Sequence, residues 1–267
     1  MNIGFIGLGN MGGSLARLVA QEERFRSELL LANRSRNKAE KIAAEVGGQP
    51  VSNAEVFAQA EVIFLGIKPA QFADLLAEYQ EILEKRESLL LVSMAAGLPL
   101  EILEKLTPSH HRWIRMMPNT PVAVGEGVIT YALSQQANQV DEDLLRDLLS
   151  SAGLLVRLEE KQLDAATALA GCGPAFVYLF IEALADAGVR AGLSRDISLE
   201  LANQTFLGAA KLSRVSGQHP AQLKDQVCSP AGSTIAGVAS LEENSFRGTV
   251  MDAVQASYKR TQELGKN

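Results

Sequence analysis

Near the start of the chain, Gly7-Leu8-Gly9-Asn10-Met11-Gly12 fits the pattern G-x-G-x-x-G. In such a loop the first glycine makes a tight turn and the second lets a pyrophosphate approach the backbone. The third lets the following helix pack closely on the strand. A helix opening there points free N–H groups at phosphate oxygens. The pattern predicts a dinucleotide site; the plain alternative is an unliganded turn. About twenty residues on, where an NAD site usually holds the ribose hydroxyls with Asp or Glu, the chain reads Asn33-Arg34-Ser35. No carboxylate is present there to repel a 2′-phosphate, and an Arg is present to pair with it. This favours NADP (NADPH), with NADH as a weaker alternative, unless Arg34 is simply a solvated surface residue. Lys68-Pro69 follows an apolar run, and Lys68 reads equally as a cofactor neighbour or as a lysine reaching for solvent at a strand end. Ser229-Pro230-Ala231-Gly232-Ser233-Thr234 precedes the apolar run 235–239. Ser before Pro suits an N-cap and first helical position, and the segment offers backbone N–H groups and hydroxyls to a carboxylate. Read alone, it is more simply a capped helix. The three histidines, His110, His111 and His219, lack metal-ligand spacing, so no metal site is expected. His110-His111 follows Pro108-Ser109 and reads as a solvated loop.

Elements that could position these residues follow from the apolar periodicity. Continuous apolar runs at 3–6, 29–32, 62–67 and 89–92 predict buried strands. Helical spacing over 11–25, 37–46, 70–83 and 100–106 predicts the segments between them. Further strands are expected at 113–117, 128–132 and 154–156, with a helix over 141–152. This alternation predicts an α/β fold: an N-terminal Rossmann domain with a doubly wound, mainly parallel sheet. After residue 158 no strand pattern remains, and helices are expected over 162–189, 195–216 and 246–264. The expected division is a Rossmann domain over 1–158 and an all-helical domain over 159–267.

Composition narrows the classes. The chain has 267 residues, 47% of them apolar, enough for ordinary cores. A net charge of -6, with no basic cluster, argues against nucleic-acid binding. Cys172 and Cys228 are too few for a disulfide framework. No secretory leader is read at the N-terminus, so a cytoplasmic location is expected. From Asp164 to Glu182 no charged residue intervenes, but Gly171-Cys172-Gly173-Pro174 interrupts the stretch. It reads as a buried helix, not a membrane span.

Taken together, these motifs resemble the pyrroline-5-carboxylate reductase family along the whole chain. The matching segments are 4–12, Gly66-Ile67-Lys68-Pro69, 115–121, 169–175 and 222–235, with Leu241-Glu242 downstream. The segment 222–235, with its Gly232-x-Thr234 core, is the most specific. The resemblance implies hydride transfer from a nicotinamide to the C=N carbon of a small-molecule substrate, 1-pyrroline-5-carboxylate, giving L-proline. It also implies a helical dimerisation domain and a homodimer, often assembled into a ring of dimers. It places the cofactor on Gly7, Gly9, Asn10, Met11, Gly12, Asn33, Arg34, Ser35, Asn53, Lys68, Pro69 and Ala95. It places the substrate on Asn119, Val227, Ser229, Gly232, Ser233 and Thr234. Thr234 matches the residue that hydrogen-bonds the ring nitrogen. Ala231 departs from the family, standing where many members have Gly.

Two rival readings fit the residues less well. A β-hydroxyacid dehydrogenase shares the N-terminal motif but resembles G-x-G-x-x-x-K-x-x-x-N in its catalytic helix. Here Val177 and Ile181 occupy the Lys and Asn positions, leaving no acid/base group for alcohol oxidation. A non-catalytic NADP sensor would not need the Gly232-x-Thr234 loop.

Overall fold

Four apolar runs of four residues make the centre of the sheet: β1 (Ile3–Ile6), β2 (Leu29–Ala32), β4 (Val62–Leu65) and β5 (Leu90–Ser93). Every residue in them is buried, which is why they lack polar alternation. In the computed structural model, which describes residues 1–264, they join β3 (Gln49–Pro50), β6 (Arg112–Pro118), β7 (Gly127–Leu133) and β8 (Gly153–Arg157). The strand order is β3-β2-β1-β4-β5-β6-β7-β8. All pairs are parallel except β6 with β7. The reversal of strand order between β1 and its neighbours β2 and β4 creates the crevice where such folds bind ligands.

Side chains alternate across the sheet. Phe5, Leu31, Phe64 and Val92 enter one core with α1 (Asn10–Val19), α2 (Glu23–Arg26) and α3 (Arg36–Val46). Phe5 and Phe64 stack there at 4.7 Å. Ile6, Leu30, Ile63, Leu65 and Trp113 enter the opposite core. That core is covered by α4 (Asn53–Gln59), α5 (Phe72–Glu78), α6 (Gln80–Lys85) and α7 (Leu100–Lys105). The helix expected over 141–152 is α8 (Gln139–Leu148) followed by a short 3-10 turn. The expected helix over 11–25 is two helices, α1 and α2, because Ala20–Glu22 turns away after α1 has delivered its buried face to the core.

His111 corrects the expectation of a solvated loop. It is buried; its Nδ1 accepts from Leu89 N at 3.1 Å, and Nε2 lies 3.1 Å from the Leu83 carbonyl. The ring therefore carries its proton on Nε2 and closes the α6–β5 connection.

After β8 the chain becomes helical. The first compact unit runs from Met1 to Cys172 and takes in residues 257–264. The short helix α9 (Leu163–Ala166) packs with the sheet. Leu163 lies in the sheet's core, and buried Arg115 on β6 holds Glu160 and Asp164 at 3.1 and 3.0 Å. Asn119 donates to the Ala170 carbonyl at 3.0 Å, inside a five-residue π-helical turn, Thr167–Gly171.

The second unit, Gly173–Ala256, contains α10 (Gly173–Arg190), α11 (Arg195–Ser216), α12 (Pro220–Gln226), α13 (Ser233–Glu243) and most of α14 (Phe246–Leu264). Phe180 stacks on Phe206 at 6.4 Å and meets Phe246 at 5.6 Å. Here the expected buried helix is not found within the chain. The apolar helical stretch Glu160–Arg190 is long and apolar enough to cross a membrane, but only 11% of its most apolar window is buried. A helix surrounded by so few others covers one face and leaves Tyr178, Leu179 and Leu184 exposed.

Candidate functional site

The G-x-G-x-x-G loop has the geometry its residue types require. Gly7 turns at φ +90°, a conformation that L side chains disfavour. At Gly12 an added Cβ would lie 2.1 Å from the Gly7 carbonyl oxygen, so only glycine lets α1 pack this close to β1. Gly9 caps α1, and its carbonyl takes the Gly13 N–H at 2.9 Å. The N–H groups of Asn10, Met11 and Gly12 are thus the open donors of the first turn. Asn33 braces the loop: its Oδ1 accepts from Leu8 N at 3.0 Å, and its amide donates to Ser35 O at 3.1 Å. Position 33 therefore fixes the loop's shape from the end of β2.

A cleft of about 580 Å³ opens in front of this loop. Gly7, Gly9, Asn33, Arg34, Ser35, Asn53 and Lys68 are among the residues that line it. Arg34 has no acidic partner among the described residues, whereas Arg36, two positions on, pairs with Glu40 at 3.1 Å. Asn53 is presented at the first position of α4 by a capping box. Ser52 Oγ accepts from Glu55 N at 3.2 Å, and Ser52 N donates to Glu55 Oε2 at 2.7 Å. The Ser52 N–H, and after it the Ser52 hydroxyl donating to Glu55 Oε2 at 2.7 Å, hold the Glu55 carboxyl below its usual pKa.

The second unit carries the loop before α13. Ser229 O accepts from Gly232 N at 3.0 Å, closing a turn with Pro230 second and Ala231 third. Ala231 has φ +58°, which this kind of turn requires and which favours glycine. The turn also corrects the expected cap. Gly232, not Ser229, is the N-cap of α13, which starts at Ser233 without a side-chain cap. The reason is that the Pro230-Ala231 turn reverses the chain before the helix can begin. Ser233 and Thr234 are exposed at the first helical positions, where backbone N–H groups and hydroxyls face outward together.

Against this geometry, comparison with known proteins is specific. Residues 160–264 match the family model for pyrroline-5-carboxylate reductase dimerisation, and residues 2–97 match that for coenzyme F420-dependent NADP oxidoreductases. A pyrroline-5-carboxylate reductase of Pisum sativum is 44% identical over 264 residues, spanning 98% of this chain and 95% of its own. The chain belongs to the pyrroline-5-carboxylate reductase family. With that membership comes the family's reaction, NAD(P)H-dependent reduction of the imine of pyrroline-5-carboxylate, the last step of proline biosynthesis. Solved relatives share the fold over nearly the whole chain. The Plasmodium falciparum pyrroline carboxylate reductase, solved with NADP bound, gives a TM-score of 0.87 at 37% identity, covering 99% of this chain and 98% of its own. The Coxiella burnetii enzyme gives 0.91 at 30% identity, covering 100% and 99%.

Of the expected cofactor residues in this family member, Gly7, Gly9, Asn33, Arg34, Ser35, Asn53 and Lys68 line one cleft. Asn10 and Met11 supply the first turn of α1, and Gly12 its close approach. Pro69 opens the turn after β4. Ala95 is not on the cleft wall: it is buried, and its N–H goes to Ser93 Oγ at 3.2 Å. Asn119 is buried too, with Oδ1 accepting from Val128 N at 2.8 Å and Nδ2 given to Ala170. Its amide ties backbone segments together, which the sequence pattern did not separate from ligand contact. Val227 is exposed at the end of α12. The sequence reading missed Gln71, Asp74, Leu75 and Glu78, which also line the cleft. Their signal was available as the helical spacing i, i+3, i+4, i+7 directly after β4.

Proposed function

We propose that the cleft of the first unit takes NADPH and that the loop before α13 takes the carboxylate and ring nitrogen of 1-pyrroline-5-carboxylate. The observation that supports the cofactor half is the open glycine cradle, with an Arg34 that has no acidic partner among the described residues and no carboxylate at the end of β2. Arg34 and Ser35 hold the 2′-phosphate through charge-assisted hydrogen bonds, and the first turn of α1 holds the pyrophosphate. Bound there, the nicotinamide supplies a hydride. NADH lacks the 2′-phosphate and is the weaker donor.

At the other half, the N–H groups opening α13 and the Ser229 and Ser233 hydroxyls hold the substrate carboxylate. Val227 and Gly232 shape the loop, and Asn119 supports the site by ordering the chain around Ala170. Thr234 hydrogen-bonds the ring nitrogen. A protonated imine is already electrophilic, so the chain's task is to hold two molecules in place and stabilise charge. The chain acts as a soluble cytoplasmic homodimer, its exposed α10 face covered by a second copy, with dimers able to assemble further into a ring.

NADPH oxidation with pyrroline-5-carboxylate tests this reading directly, with a six-membered cyclic imine acid as comparison. Thr234→Ala is expected to lower kcat/KM by roughly tenfold to a thousandfold while Thr234→Ser keeps much of the activity. Because Gly232 caps α13, the Ala variant should melt within about 1 °C of wild type, since no cap worth about 1 kcal/mol is removed. Unchanged turnover in Thr234→Ala would remove this residue from the reacting centre.

A further inference from the structure

The cleft in front of the glycine loop is walled by α5 as well as by the β2 end. Gln71, Asp74, Leu75 and Glu78 recur at i, i+3, i+4 and i+7 and line it together with Arg34, Ser35 and Asn53. No residue beyond Glu78 contributes to its lining. The strands β5 to β8, toward which the nicotinamide half of a dinucleotide extends from the phosphate loop, therefore play no part in it. On the cofactor reading above, this cleft is the adenosine end. A ribose phosphate held at Arg34 and Ser35 leaves the purine base between the β2 end and the α5 face.

That face has one apolar residue and two carboxylates. Leu75, half-buried, offers a flat contact for the base's π surface. Glu78 is the better held of the two acids. Tyr79 OH donates to its Oε1 at 2.9 Å, and the Tyr79 ring is itself fixed on buried Phe57 at 5.2 Å. One carboxylate oxygen is thereby occupied and the other left as an acceptor on the cleft rim. Asp74 has no such anchor among the described residues. Gln71 is also committed, its Oε1 accepting from Lys68 N at 3.2 Å.

An ionised carboxylate only accepts hydrogen bonds. Of the purine's edge atoms in an adenine nucleotide, only the exocyclic 6-amino group donates; the ring nitrogens accept. We propose that Glu78, positioned by Tyr79, reads the 6-amino group of the cofactor's adenine and so selects adenine against 6-oxo purines. This rests on the cofactor reading above and extends it to the base. A negative group beside a polyanionic cofactor would weaken binding if it served no purpose. A hydrogen bond from the amine offsets that repulsion only for the right base.

The test is equilibrium binding followed by nicotinamide fluorescence, comparing NADPH with its deamino analogue, in which a carbonyl replaces the 6-amino group. Wild type should bind NADPH roughly five- to tenfold more tightly than the analogue, as expected for one exposed charge-assisted hydrogen bond. Glu78→Ala should bring the two affinities within about twofold of each other. Glu78→Gln, which keeps an acceptor oxygen, should retain part of the preference, and Tyr79→Phe should weaken it by freeing the carboxylate. Removing a negative charge tightens both cofactors alike, so the ratio isolates the base contact. Asp74→Asn is the control and should leave the ratio as in wild type. Equal binding of the two cofactors by wild type would overturn the proposal, as would an unchanged ratio in Glu78→Ala or a ratio lost in Asp74→Asn. Because the readout is binding, failure of imine reduction would overturn the substrate reading alone. Absence of any NADPH binding would overturn the cofactor reading and this one with it.

Discussion

In the proposed cofactor site, Arg34 carries the choice between NADPH and NADH. It stands at the end of β2, unpaired among the described residues, at a position where a carboxylate would exclude a 2′-phosphate. Loss of its charge-assisted contact should cost roughly 1.5–3 kcal/mol of NADPH binding, read as a KM for NADPH raised at least tenfold in Arg34→Ala. The KM for NADH should hardly move, and equal changes for both cofactors would place Arg34 away from the phosphate. His111 makes a different residue-level case. Burial, chiefly, and the neighbouring His110 push its pKa down to about 4. In the unfolded chain a histidine takes up a proton near 6.5, so as pH falls below that value the unfolded state binds the proton first. Stability contributed by the neutral ring is complete above about pH 6.5 and is lost as pH falls toward 4, by up to about 3 kcal/mol. Urea unfolding at pH 7 and pH 4.5 should show this loss in wild type and a smaller one in His111→Gln.

Elements explain why the sequence was legible in some places and not in others. The parallel strands were readable because burial on both faces leaves runs of Val, Ile, Leu and Phe that nothing else in a soluble chain requires. The glycine loop was readable because Gly7 turns at positive φ and Gly12 leaves no room for a Cβ against the Gly7 carbonyl. The helix α4 was overlooked although Ser52-x-x-Glu55 announces its cap, since its seven residues carry little apolar period. His111 was misread because a Pro-Ser-His-His run gives no sign that two carbonyl and amide partners lie 22 and 28 residues away in sequence. The start of α13 was displaced for a local reason. Ser-Pro reads as a cap, but a positive φ at Ala231 cannot be seen in a residue that rarely adopts one. That strain can be measured. Ala in this conformation costs about 1 kcal/mol relative to Gly, partly offset by the greater freedom glycine gives the unfolded chain. Ala231→Gly should therefore raise the melting temperature slightly, by about 1–2 °C, without loss of turnover. A lower melting temperature would mean that the turn is not held in this geometry.

Across the whole molecule, the two units differ in how they meet solvent. The first has two cores, one on each face of a sheet, and its large apolar residues are mostly buried. In the second, Tyr178 is 60%, Leu179 63%, Leu201 53%, Leu207 58% and Leu212 58% exposed. Soluble monomers rarely leave so much apolar helix surface open. The same apolarity lets the stretch Glu160–Arg190 meet the length and hydropathy of a membrane span, so a lipid phase and a second protein surface are the two media that could cover it. Match of residues 160–264 to a dimerisation model supports the second. The chain should then scatter light as a dimer or a multiple of one at micromolar concentration, in buffer without detergent. Leu179→Glu places a charge on the exposed part of α10, where it touches little within its own chain. The fold of the single chain should survive, with circular dichroism unchanged, whereas the assembled form must bury the new carboxylate unpaired at a cost of several kcal/mol. The variant should therefore shift to a monomer at concentrations where wild type is fully assembled. A monomeric wild type, or a Leu179→Glu variant that stays assembled, would show that this face is covered by something other than a second copy.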